Sequence, residues 1–237
     1  MTNPDRLAYR ESYRRTLPHI VPPGGTYFLT LRLAGTLPLG LVNAYRSAKE
    51  EWRQYGISGD LLLQEKRQWF KRIDRCLDQG KEGVDWLRDE RIAQLIFDAL
   101  LHRHQKIYDL ECFCIMPNHL HLVFHHLVEQ EGANETELKR KTIQGILHSF
   151  KRFTARKANA ILGRKGKFWA NESFDHLVRS RESLLQIIRY VLDNPVKAGL
   201  VREWTEWRWT WLNSRYKEVY CAVDPVPEPT NDGTEHQ

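Results

Sequence analysis

Residues 114–126 read CIMPNHLHLVFHH, and how this stretch is assigned decides the fold. Leu120, Leu122 and Phe124 alternate with His119, His121 and Val123. Successive side chains of a strand point to opposite faces, so the first set enters a core while His119 and His121 share the other side. Their Cβ atoms then lie about 7 Å apart, close enough for two imidazoles to converge on one metal ion. His102 and His104 have the same spacing but fall on a predicted helix, where positions two apart diverge by roughly 200° and do not easily share a metal. Spacing alone also suits two half-exposed polar residues on a sheet face. His125 continues the alternation but lies far from the turn and reads as a surface residue, and His126 points the other way.

The chain around this strand supplies its partners. Residues 107–116 have strand-like content and run into Pro117-Asn118, a turn signal that folds them against 119–124 as an antiparallel hairpin at the centre of a sheet. TYFLTLRLA at 26–34 has the two-residue period of a first strand. From about 39 to 105 the pattern is helical, in segments divided by glycines at 56, 59, 80 and 83. A helix is expected over 142–162, with Ile143, Ile146, Leu147, Phe150 and Phe153 as its stripe and Gly163 closing it. A short strand follows near 174–179. Ser180 caps the next helix, Glu182 suits its first turn, and Leu184, Ile187, Ile188 and Val191 form its buried side. Pro195 is expected to end that helix, because a residue before proline resists the helical conformation. The expected fold class is α+β, a ferredoxin-like palm with an antiparallel sheet, expanded by a helical insertion after the first strand. One domain over 1–222 is expected, with a proline- and acid-rich disordered tail over 223–237.

Composition narrows the setting. The chain has 237 residues, 41% of them hydrophobic, enough for a buried core. Its four cysteines form no CxxC pair, no signal-like apolar run opens the sequence, and charges interrupt every apolar stretch, which points to a cytoplasmic protein. A net charge of +6 favours an anionic partner. Much of the excess lies between 139 and 171, where no Asp or Glu occurs. Lys139, Arg140 and Lys141 open this segment. Lys151, Arg152, Arg156, Lys157, Arg164, Lys165 and Lys167, with Trp169 as a stacking ring beside Phe168 and with Arg32 on the first strand, are the candidate nucleic-acid-binding residues. Trp204, Trp207, Trp209 and Trp211 read as packing anchors.

In SLLQIIRYVLDNPVKAGLV, Tyr190 sits about 110° from the centre of the apolar stripe, at its edge, with Asn194 one turn further along. GGTYFLTLRLAG, CIMPNHLHLVF, GKFWANESFDHLVR and YVLDNPVKAGLV, in this order over about 24–212, resemble the single-tyrosine HUH transposases, and most closely the REP-associated tyrosine transposases (RAYT). The resemblance implies that His119 and His121 bind a divalent metal, Mg²⁺ or Mn²⁺, that Asn194 supplies a third ligand, and that Tyr190 is the catalytic nucleophile. Some branches of the family carry glutamine at the amide position. The implied activity is metal-dependent cleavage and strand transfer on single-stranded, hairpin-forming repetitive DNA through a covalent 5′-phosphotyrosine. The helical insertion is longer than a minimal palm requires and favours a monomer over a dimer, and a nucleoid location would follow from DNA binding. A non-catalytic, domesticated nucleic-acid-binding protein on the same palm, or an RNA nuclease using the histidines as acid and base, would also account for part of the pattern.

Overall fold

The computed structural model describes residues 24–80, 83–127 and 142–221. Its elements are β1 Thr26–Leu33, α1 Leu39–Gln54, α2 Gly59–Gln79, α3 Glu90–Leu101, β2 Tyr108–Ile115, β3 His119–His126, α4 Ile143–Ile161, β4 Trp169–Val178, α5 Arg181–Lys197, β5 Thr210–Leu212 and α6 Lys217–Tyr220. The five strands form one antiparallel sheet in the order β4-β1-β3-β2-β5. The first four have the order of a βαββαβ palm, and β5 adds an edge beside β2. The fold is therefore the α+β palm that the alternating strands suggested, with α1 and α2 as the expansion between β1 and α3.

Each sheet face has its own cover. Leu29, Leu31, Leu120, Leu122 and Phe124 lie in one apolar cluster with Ile92 and Ile96 of α3 and Ile146 and Phe150 of α4. On the opposite face, Phe28, Cys112, Cys114 and Val123 pack with Ile188, Val191 and Leu192 of α5. Helix α2 reaches this second face as well: Phe70 meets Phe28 edge-on at 5.5 Å, and Ile73 and Leu77 bury against Leu37 and Phe174. The second face is thus covered by α5 and by the insertion.

Local signals mostly act as expected. Ser180 caps α5 by accepting from Ser183 N, Thr142 caps α4 by accepting from Gly145 N, and Gly163 follows α4 at φ +61°. The 117–118 turn closes the β2–β3 hairpin, with Met116 N donating to His119 O at 2.8 Å. Three expectations need correction. Helix α5 runs through Pro195 to Lys197; the amide of Asn194 bonds Tyr190 O at 2.8 Å, and Ala198 N still reaches Asn194 O, so burial of the proline and these bonds outweigh one missing N–H. Helix α3 ends at Leu101, so His104 stands in a turn, where it accepts from Leu110 N. His125 is buried and bonded to Thr26 at 3.1 Å, because β1 lies alongside β3 to its end. The tail over 223–237 and Lys139, Arg140 and Lys141 lie outside the described residues.

Candidate active site

The two imidazoles expected on one face of β3 point at each other, with Nε2 atoms 3.0 Å apart, and both side chains are fully buried. Their outer nitrogens are held from two directions. Asn118 donates its amide N–H to Leu77 O at 2.9 Å, which turns its Oδ1 towards His119 Nδ1 at 2.6 Å. That oxygen can only accept, so Nδ1 carries the proton of His119 and Nε2 keeps its lone pair. His121 Nδ1 meets the Thr30 hydroxyl at 2.9 Å, so its Nε2 also faces inward. Burial pushes both imidazoles down, His119 well below its ordinary range and His121 to about 3, and each remains neutral at pH 7.

Tyr190 arrives from α5. Its ring stands edge-on to His121 with centroids 5.5 Å apart, and Phe28 and Phe70 flank it at 5.9 Å. The hydroxyl donates to Asp74 Oδ2 of α2, while Asp74 Oδ1 lies 3.4 Å from His121 Nε2. Burial, followed by the Asp74 carboxylate, holds the phenol well above its ordinary value. Burial also raises Asp74, opposed by the hydrogen bond from Tyr190 and the charge of Lys197, whose ammonium sits 4.7 Å over the Tyr190 ring. Asp78, one turn beyond Asp74, is pushed up to about 7, chiefly by burial and then by Asp74. Asn194 is fully buried, and its amide borders both His121 and Tyr190.

Thus His119, His121, Tyr190 and Asn194 come together, and Asp74 joins them unforeseen. A readable signal existed: Phe70, Asp74 and Leu77 fall at helical spacing, which places a carboxylate in the middle of an apolar stripe.

The donors fit a divalent cation. The two Nε2 atoms, 3.0 Å apart, share either a proton or a cation between them. Asp74 Oδ1 and Asn194 Oδ1 are buried acceptors with no hydrogen-bond partner among the described residues. Asp74, His119 and His121 offer ligand atoms all within 4.8 Å of one another.

The candidate DNA-binding residues divide by environment. Arg152, Arg156 and Lys157 on α4, and Lys165 and Lys167 in the following loop, are exposed. Lys151 is half-buried, donates to Ala170 O at 3.1 Å and is lowered by burial to about 8. Arg32 is half-buried, with burial lowering it against the charge of Glu172. Arg164 clamps its loop, bonding Asn159 Oδ1 at 2.6 Å and lying 3.8 Å over the Trp86 ring. Trp169 is only 5% exposed, and its indole N–H bonds Thr154 Oγ1 at 2.9 Å. It is therefore a core residue and not a free stacking platform, because the small Thr154 in α4 leaves room for the indole. Helix α4 covers the sheet face opposite the histidines, so its basic side chains and the imidazoles lie on opposite sides of the sheet.

No family model matches the chain. It is 32% identical over 98 residues to an uncharacterised protein of Haemophilus influenzae, an alignment covering 35% of this chain and 52% of the other, so the chain spans about half the length of the curated relative it matches. Among solved structures it is similar to a REP-associated tyrosine transposase bound to a REP hairpin, with a TM-score of 0.43, 15% identity and coverage of 96% of each chain. No helix among the described residues is long and apolar enough to cross a membrane.

Proposed function

We propose that the protein is a metal-dependent DNA endonuclease and strand transferase of the HUH single-tyrosine type, acting on single-stranded, hairpin-forming DNA, with Tyr190 as the nucleophile. The observation that carries this reading is the convergence of a tyrosine hydroxyl, two inward-facing imidazoles and a carboxylate from three separate elements. His119, His121 and Asp74 would hold the metal, with Asn194 as a further oxygen donor. When bound, the metal would supply polarisation and orientation of the scissile phosphate.

Tyr190 begins as a phenol, since burial and the neighbouring carboxylate both oppose the phenolate. Its proton needs an acceptor at the moment of attack, and Asp74 Oδ2 already receives that hydrogen bond. As the Tyr190 O–P bond forms, the bond from phosphorus to the 3′ oxygen breaks. Asp74 keeps the tyrosine proton, and the leaving oxygen takes a proton from solvent to give a free 3′ hydroxyl. The 5′ phosphate stays on Tyr190, and its bond energy is retained for rejoining. Phe28 and Phe70 hold the ring in place by contact.

The test uses a labelled DNA hairpin with a single-stranded 5′ extension, incubated with Mn²⁺ and resolved under denaturing conditions. Wild type yields a covalent adduct; Tyr190→Phe binds the hairpin and yields none. An adduct that persists in Tyr190→Phe would sink the assignment. Hairpin binding without an adduct in wild type would favour the non-catalytic reading, which the Asp74 hold on the Tyr190 hydroxyl also accommodates.

A further inference from the structure

A cavity of about 510 Å³ lies away from the histidines, at the β4 edge of the sheet. Its walls come from the α1–α2 hairpin on one side, β4 in the middle and the first turn of α4 on the other, with Ile143 and Gln144 contributed by α4. This is one of the two sheet edges past which a strand of DNA could reach both the exposed basic residues of α4 and the candidate active site on the opposite face.

The lining matches that passage. Tyr45, Trp52 and Phe174 give aromatic surface, and Lys49, Arg53 and Lys66 give positive charge beside the acids Glu172 and Asp175, with Arg53 also bonded to Glu50 at 2.7 Å. Tyr45 and Phe174 are nearly parallel, 26° apart with centroids at 6.2 Å. Phe174 touches Phe70 at 4.9 Å, and Phe70 touches Tyr190 at 5.9 Å, so a row of rings leads from the cavity to the candidate nucleophile. Glu172 also lines the space and is bonded to Lys49 at 2.7 Å, which presents a carboxylate acceptor beside a cation. A nucleobase needs a π face and edge acceptors or donors, and its phosphate needs cations; the volume falls within the range of small-ligand sites.

We infer that the β4-edge cavity receives an unpaired nucleobase of single-stranded DNA a few nucleotides from the bond cleaved, with its phosphate paired to Lys49, Arg53 or Lys66. The inference rests on the proposed DNA substrate but not on catalysis. The insertion helices are then a substrate-binding wall as well as a cover for the histidines.

The experiment titrates the full chain carrying Tyr190→Phe, in EDTA, with each of dAMP, dCMP, dGMP and dTMP at up to millimolar concentration, following tryptophan fluorescence and heat of binding. Saturable quenching is expected with at least one nucleotide, and it disappears in Trp52→Phe while the heat remains. Ser173→Phe, which fills the cavity, and Lys66→Glu, which reverses one charge, each weaken binding about tenfold or more, within the range seen for loss of one stacked base. Circular dichroism reports whether each variant is folded. Lack of a saturable response to all four nucleotides, or binding unchanged in folded Ser173→Phe and Lys66→Glu, overturns the inference. Because these proteins lack the nucleophile and metal, an absent adduct in the cleavage assay leaves this result standing, and an empty cavity leaves adduct formation untouched.

Discussion

The two faces of β3 are equally dry but chemically opposite. Leu120, Leu122 and Phe124 fill one side against α3 and α4, with no polar group to satisfy. On the other, His119 and His121 are just as buried, yet they face each other and two oxygen atoms that have no hydrogen-bond partner among the described residues. An unsatisfied buried polar group costs about 1–3 kcal/mol, so this arrangement opposes folding where the leucine face favours it. The difference teaches that burial alone does not mark a core. The first face is filled for packing, whereas the second gathers polar donors and carries their desolvation cost.

Exchanging side chains on the two faces should give opposite results, and this is the largest expected effect. His119→Ala with His121→Ala should abolish divalent-metal binding, read by calorimetry, and hairpin cleavage with it, while the metal-free protein keeps most of its stability. Phe124→Ala on the packing face should cost about 3–5 kcal/mol in denaturant midpoint analysis, by loss of a large buried side chain and the cavity it leaves. If the histidine variant proves the less stable of the two, β3 has no specialised face.

Asp74 sharpens the contrast, because it decides whether the polar face is merely a metal shelf. Asp74→Asn retains an oxygen for the Tyr190 hydroxyl but loses the charge and the proton acceptor. The expected outcome is a fall of about a hundredfold or more in the single-turnover cleavage rate with hairpin affinity preserved, in the range of general-base removal. Metal affinity should fall as well, since a carboxylate donor is exchanged for a neutral one. Equal cleavage by the variant would remove Asp74 from the chemistry and leave it as a packing acid.

The polar face should also respond to acid. In the unfolded chain the histidines titrate near their ordinary value of about 6.5, whereas burial keeps His121 neutral down to about 3 and holds His119 well below its ordinary range. At these two sites the unfolded state therefore binds more protons below pH 6.5, so the histidines' contribution to stability falls as pH drops through 6.5 towards 3, by up to about 1.4 kcal/mol per pH unit for each, while Asp78 and Asp74, raised by burial, act in the opposite direction. Thermal midpoints of metal-free protein across this window check the effect. His119→Ala with His121→Ala should flatten the slope, and Phe124→Leu should not.

The packing face was far more legible in the sequence than the polar one. Alternation in 26–34 and 119–124, the turn at 117–118 and the Ser180 cap follow from local periodicity and local hydrogen bonds, which neighbouring residues determine. The HxH spacing and the position of Tyr190 at the edge of its stripe were visible for the same reason. Asp74 was hidden because its partners, His121 and Tyr190, are distant in the chain, and only the packing of α2 onto the sheet joins them. Its sole local sign was an acid within an apolar helical stripe. Trp169 erred in the other direction: a tryptophan in a basic loop reads as exposed until Thr154 is seen to accept its N–H. The three-residue strand β5 is likewise set by its pairing with β2, with Trp211 stacked on Phe113 at 5.8 Å, and by no periodicity of its own.

The smallest effect separates surface charge from structure within the basic segment. Arg156 and Lys157 are exposed on α4, so each contributes phosphate pairing and little else. Replacing either with alanine should weaken binding of a labelled single strand only a few-fold at moderate salt, and should reduce the slope of log affinity against log salt by about 0.7. Trp169→Phe should leave that slope unchanged and instead lower stability by about 1 kcal/mol, the usual net contribution of one hydrogen bond, because Thr154 Oγ1 loses the indole donor while keeping its bond to Phe150 O. The two measurements are independent, since one reads counterion release and the other folding. If Trp169→Phe altered the salt slope while Arg156→Ala did not, the α4 face would be a solvated surface, and the path of DNA would have to be sought along the edge strand β4 alone.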